Sequence, residues 1–250
     1  HFLAQSIGMD AFIEEVVATC DFIRAKKRHK KRMMLSFDEW NVWFHSNQAD
    51  RQQPPWQEAP SLLEDLYTVE DALVVGCMLI SLIKHCDRVR IGCLAQLVNV
   101  IAPIFTATGG GIVKQTTYFP FMHASRYGRG TALDMKVDSS SYEDPVFDAV
   151  PYVEAVGVLS EGRGELTVFA VNRNLEEVVG LDVDLRDFST ARVVQHIALT
   201  HSDLKAVNTL EQPDRVAPSA LDNSVEEHEG KTRIALPPAS WNVVRFSLEA

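Results

Sequence analysis

The chain has 250 residues, 46% of them apolar and 23% charged, which excludes wholesale disorder and leaves enough length to bury one large core or two modest ones. Its 34 acidic residues outnumber 24 basic ones, and a net charge of -10 suits a phosphate backbone poorly, so no nucleic-acid partner is expected. The longest apolar run, residues 72–83, is too short to span a bilayer, so no membrane partner is expected either.

In chain order, the first predicted element is a helix from Asp10 to about Arg28. Phe12, Ile13, Val16, Val17, Cys20 and Ile23 recur at helical spacing, Asp10 stands where a cap would, and Lys26, Lys27 and Arg28 load the end. Met33 to Phe37 is a short apolar run without alternation, the pattern of a strand buried on both faces of a parallel sheet. A polar loop from His45 to about Tyr67 precedes a second helix, which Thr68 and Asp71 open with a capping signature and which runs to Cys86. Asp87–Leu94 reads as a second strand, followed by the apolar stretch 97–105, a turn at Gly109-Gly110-Gly111, and a helix over Thr117–Tyr127. This rhythm is that of βα units.

Beyond Gly130 the pattern changes to short alternating strands: Glu165–Val171, Val178–Leu185, Arg192–Leu199, Thr232–Leu236 and Asn242–Leu248. They predict an antiparallel β-sandwich with one wet face, and His201–Gly230 reads as one long surface loop. The division is therefore 1–128 for the βα units and 129–250 for the sandwich. Two parallel strands cannot close a barrel and would leave an unpaired edge. Either a second chain completes the sheet, or these residues are the C-terminal part of a longer chain. The first residue is His1, with no basic leader region, which reads as the interior of a protein.

Four cysteines, at 20, 77, 86 and 93, have no CxxC spacing; three sit in strongly apolar segments, which reads as buried free thiols in a reducing compartment rather than a zinc site. The histidines show no HExxH or other metal spacing, and no metal or cofactor is expected. The basic run Lys26–Arg32 reads as a solvated helix end, and His45 as a loop or pocket-rim residue. Trp241 reads as a core anchor of the sandwich. The chemistry-bearing stretch is Leu35-Ser36-Phe37-Asp38-Glu39-Trp40-Asn41-Val42-Trp43. Adjacent acids at the end of a buried parallel strand lie on the catalytic face of a barrel, and tryptophans offer a flat wall to a sugar ring. A turn-capping Asp38, a surface-paired Glu39 and core indoles would look the same.

The run SFDEWNVWFHS (Ser36–Ser46) resembles the nucleophile motif of the α-L-arabinofuranosidases of glycoside hydrolase family 51. The resemblance continues in AQLVNVIAPI (Ala95–Ile104), in Phe169-Ala170-Val171-Asn172-Arg173 and in LPPASWNV (Leu236–Val243), so it extends over essentially the whole chain. It implies the last strands of a (β/α)8 barrel followed by a jelly-roll-like β-sandwich, and hydrolysis with retention of configuration. By motif position it implies that Glu39 is the nucleophile, that Trp43 lies beside the substrate pocket, and that Gln96 hydrogen-bonds the bound arabinose. Asp38 is left as a turn or supporting residue whose side chain alternates away from Glu39. The implied substrate is a terminal arabinofuranosyl group of arabinan or arabinoxylan fragments, in a cytoplasmic and commonly homo-oligomeric enzyme.

Retaining hydrolysis also needs a second carboxylate about 5–5.5 Å from the first. In the family it is a Glu directly after an Asn, and no Asn-Glu dipeptide occurs in these 250 residues. A complementary N-terminal portion carrying that Glu is therefore an expected partner, and the chain alone is expected to be inactive. The rival reading is a non-catalytic carbohydrate-binding or assembly module built on the sandwich.

Overall fold

The molecule is built around one helix, α3 (Val69–Lys84), in a computed structural model that describes all residues except 161, 163, 186, 187, 189, 223, 229, 230, 249 and 250, and the side chains of Glu227 and His228. As its sequence predicts, α3 opens with a capping box: Asp71 N–H donates to the Thr68 hydroxyl, and the Asp71 carboxylate accepts from Thr68 N–H. It is buried nearly all round. Val69, Leu73, Cys77 and Ile80 face the β-sandwich, whereas Val74, Val75 and Leu79 face the βα half. Each large apolar side chain buried this way contributes roughly 1.5–3 kcal/mol, so this helix fuses the two halves through a shared core.

On one side of α3 lie α1 (Gln5–Lys26) and a parallel pair, β1 (Leu35–Trp40) and β2 (Val89–Leu94). Helix α1 begins five residues before Asp10, which is not its cap; Asp10 instead meets His85 at 3.1 Å from the middle of the helix. β1 also departs from expectation. Met33 and Met34 precede it, and Ser36, Asp38 and Glu39 are exposed, because β2 is its only neighbour among the described residues. A short helix α2 (Asn47–Arg51) sits in the loop before α3. After β2, the hairpin β3 (Ile104–Thr106) and β4 (Ile112–Lys114) turns at Gly109-Gly110-Gly111, all three at φ between 88° and 116°, where a side chain would be strained. Helix α4 (Tyr118–Tyr127) follows and packs on α3.

The sandwich holds a six-stranded antiparallel sheet and a three-stranded one. The large sheet takes β5 (Thr131–Leu133), β8 (Val153–Ser160), β9 (Glu165–Asn172), β11 (Arg192–Leu199), β12 (Ser219–Ala220) and β15 (Ser240–Ser247), in the order β12-β11-β15-β9-β8-β5. The small sheet is β10-β14-β13, from Val179–Asp184, Lys231–Leu236 and Val225–His228. A separate hairpin joins β6 (Ser141–Asp144) to β7 (Asp148–Pro151). The five segments expected from alternation are all strands. β8 escapes that reading because it is buried at six successive positions and does not alternate.

The large sheet has no wet face at its centre. Val168, Ala170, Val244 and Phe246 meet the small sheet, while Val156, Phe169, Val171 and Trp241 meet α3 and α4. Trp241 is fully buried and stacks on Phe169 with ring centroids 5.5 Å apart. Its indole N–H donates to His123 Nδ1 at 3.1 Å, and a Cβ at Gly76 would come within 2.6 Å of its ring. Burial holds His123 well below its ordinary value of 6.5, at about 4, so at neutral pH it is the uncharged acceptor this bond requires.

The 201–230 segment is more than a surface loop. Asn208 donates to Lys114 and Val216 carbonyls at 2.9 Å, Ala206 and Val216 are buried, and Leu204 C=O accepts from Glu70 N–H at the start of α3. Its predicted end, Gly230, lies outside the described residues. Just after β9, the buried Arg173 donates to Leu3 C=O, Pro151 C=O, Ser6 Oγ and Glu154 Oε2 at 2.9–3.2 Å. That guanidinium pins the start of α1 to the sandwich. Of the cysteines only Cys77 is buried; Cys20 is half-buried, and Cys86, just past α3, and Cys93, on the little-covered β2, are exposed.

Candidate active site

Parallel pairing fixes where the acids stand. Leu35 faces Val89, Phe37 faces Gly92 and Trp40 faces Leu94, so between the last two pairs β1 carries one residue more than β2. The extra residue falls at Asp38-Glu39. A bulge of this kind kinks the strand and re-aims a side chain, and such irregularities recur beside active sites. Asp38 and Glu39 are both exposed there, and Asp38 accepts a hydrogen bond from the Ser36 hydroxyl. Glu39 has no hydrogen-bond or ion-pair partner among the described residues, so its carboxylate is open to an incoming group.

Trp40, the next residue, is buried against α1 and α3. Gln96 stands two residues past β2, exposed, after a cis Ala95–Gln96 peptide. Since Trp40 and Leu94 are register partners, Glu39 and Gln96 emerge from the same end of two neighbouring strands. Trp43 follows three residues beyond β1 and is 51% exposed, where an indole face is available to a ligand. The structure therefore gathers Glu39 and Gln96 at one edge with Trp43 in the adjoining loop, and leaves Asp38 paired locally with Ser36.

A second layer of polar groups holds these loops, and the sequence pattern alone does not reveal it. Asn41 Nδ2 approaches Ala95 C=O at 2.7 Å, Ile101 C=O at 2.6 Å and the Tyr67 hydroxyl at 3.0 Å. Tyr67, fully buried, donates to Val42 C=O, and burial drives its phenol upward from the ordinary range. Buried Asp65 accepts the backbone N–H groups of Phe44, His45 and Ser46, which fixes the turn after Trp43. Buried Gln115 bridges Tyr67 N–H, Asp65 C=O and Ala102 C=O.

His45 lies at the rim of a hollow lined by Phe44, Asn47, Gln48, Arg51 and Gln52, and meets Asp71 Oδ2 at 2.8 Å. Desolvation raises the Asp71 carboxyl, against the lowering effect of its Thr68 and His45 contacts. Among the described residues no three His, Cys, Asp or Glu side chains are grouped to hold a metal ion, and no helix is long and apolar enough to cross a membrane.

Residues 38–240 match the family described as the α-L-arabinofuranosidase C-terminal domain. An intracellular exo-α-(1→5)-L-arabinofuranosidase of Halalkalibacterium halodurans is 52% identical over 98% of this chain and 49% of its own length. The corresponding Bacillus subtilis protein is 47% identical over the whole chain and 49% of its own length. Among solved structures, a family 51 α-L-arabinofuranosidase from Bifidobacterium longum superposes with a TM-score of 0.88 at 37% identity, over 98% of this chain and 48% of that one. The family 51 arabinofuranosidase of Xanthomonas axonopodis pv. citri gives 0.82 at 26% identity, over 98% and 46%. The chain thus spans about half the length of the relatives it matches, and its sequence and β-sandwich together place it in the C-terminal half of the family 51 α-L-arabinofuranosidases, the family to which it belongs.

Proposed function

We propose that this chain is the C-terminal part of a retaining arabinofuranosidase in which Glu39 is the nucleophile. The observation that carries the reading is the exposed Glu39 carboxylate, without a partner among the described residues, at a bulged strand end beside the segment that bears Gln96. Residues 1–128 would supply the last two strands of a (β/α)8 barrel and 129–250 its sandwich. Exposed Ile91, Leu97, Phe12 and Phe22 on the βα half are then the apolar surface that the rest of the barrel covers.

In this reading Glu39 attacks the anomeric carbon of a terminal α-L-arabinofuranosyl group. The bond to the leaving oxygen breaks as the second carboxylate, on the complementary N-terminal portion, protonates that oxygen. The same carboxylate then draws a proton from water, which attacks the glycosyl–Glu39 ester, releases arabinose with retained configuration and restores both acids. Gln96 holds the sugar hydroxyls and Trp43 walls the pocket. Arabinan or arabinoxylan fragments are the substrates. The relatives are named intracellular exo-acting arabinofuranosidases, which supports exo-acting cleavage in the cell interior; a homo-oligomer is the assembly the family resemblance suggests.

A carbohydrate-binding role for the sandwich alone has less support, since its single tryptophan, Trp241, is fully buried. The test is Glu39→Gln in the full-length protein, assayed with an aryl α-L-arabinofuranoside. Turnover is expected to vanish while the thermal midpoint stays put; full activity would remove Glu39 from the mechanism.

A further inference from the structure

The bulge that frees Glu39 creates a mechanical problem. From Phe37 to Trp40 the regular ladder between β1 and β2 is interrupted, so the strand end bearing the carboxylate lacks the backbone support that usually fixes such a position. Gln96 has the same difficulty, since it lies beyond the end of β2 in irregular chain. A displacement of about 1 Å between groups acting on one sugar can cost roughly 10²-fold in rate.

Asn41 meets this need. Its Nδ2 group lies 2.7 Å from Ala95 C=O, in the residue just before Gln96, and 2.6 Å from Ile101 C=O. The Ile101 carbonyl also accepts Gln96 N–H at 3.0 Å, so the Asn41 side chain and the Gln96 backbone converge on one oxygen. The third neighbour, the Tyr67 hydroxyl at 3.0 Å, donates its own hydrogen bond to Val42 C=O at 2.9 Å, while Asn41 Oδ1 accepts from Val42 N–H at 2.8 Å. Trp40 C=O receives Ala95 N–H at 3.2 Å. The ends of the two strands are therefore sewn together from both sides of Glu39's successor, and every polar atom of the amide is engaged.

We infer that Asn41 is a positioning residue that fixes the spacing between Glu39 and Gln96, with the Tyr67 hydroxyl as its support. The inference rests on the proposed roles of those two residues. Aspartate at 41 keeps the shape but loses both N–H donors and turns a carboxylate toward two carbonyl oxygens. Phenylalanine at 67 removes only the hydroxyl.

The experiment uses the full-length enzyme and the variants Asn41→Asp, Tyr67→Phe, Gln96→Ala and the two doubles with Gln96→Ala. The readouts are kcat and KM for an aryl α-L-arabinofuranoside, with the thermal midpoint of each. Asn41→Asp is expected to lower kcat/KM by about 10²-fold and Tyr67→Phe by several-fold. Each double is expected to fall within a few-fold of its worse single variant, because a Gln96 already lost cannot be misplaced. Losses that multiply, or wild-type kcat/KM in both single variants, would overturn the inference. Should Asn41→Asp fail to fold, Tyr67→Phe carries the same test. Activity retained in Glu39→Gln would instead sink the underlying reading, so the two failures are distinguishable.

Discussion

The two ends of α3's surroundings make opposite structures from the same kind of strand. On the sandwich side, β9 is buried at seven of its eight positions between a second sheet and two helices. On the other side, β1 has one strand neighbour among the described residues, a bulge and three exposed polar residues in six. Parallel strands normally sit in sheets covered on both faces, whereas β1 and β2 are left largely uncovered and the central strands of the sandwich are covered on both. The contrast puts the most deeply buried strands on one side of α3 and the proposed chemistry on the other.

That separation can be broken experimentally. The largest expected effect is at the end of β1: Glu39→Gln should reduce kcat of the full-length protein by on the order of 10⁴-fold or more with no change in thermal midpoint. If its stability falls instead, the two regions are not separable. On the sandwich side, the largest effect concerns acid. His123 binds its proton only near pH 4 when folded, against about 6.5 ordinarily, so between those values the unfolded chain holds more protons. Stability should therefore drop as the pH falls from about 6.5 to 4, by roughly 3 kcal/mol, and chemical denaturation of His123→Gln should show a flatter dependence there.

Smaller effects sharpen the same contrast. Gly76→Ala pushes a methyl to within 2.6 Å of the Trp241 ring, and overpacking of this kind costs about 1–3 kcal/mol; denaturant titration should register it while kcat stays near wild type. Thr68→Ala removes the α3 cap at a cost of about 1 kcal/mol, read as a modest fall in the thermal midpoint. A large loss of turnover in either variant would show that the core feeds directly into the site.

Much of the architecture was legible because it rests on local rules. The Thr68–Asp71 capping box and the alternation in Val179–Asp184 and Lys231–Leu236 each declare an element within a few residues. β8 was not legible, since burial on both faces removes the alternation that marks a strand. The exposure of Cys86 and Cys93 was also hidden: apolar segments announce a core, but not whether this chain provides all of it. In the candidate site, short motifs single out Glu39, Trp43 and Gln96. The supports are not legible in this way, because Asn41, Asp65, Tyr67 and Gln115 reach partners 13 to 60 residues away, which no local pattern encodes.

The most direct test of the central claim is covalent trapping. The full-length enzyme is treated with a mechanism-based fluorinated aryl arabinofuranoside, digested, and its peptides are sequenced by tandem mass spectrometry. A single arabinosyl-type adduct on Glu39 is the predicted result. An adduct on another residue, with the Glu39 peptide unmodified, would contradict the assignment of this strand end as the seat of the reaction.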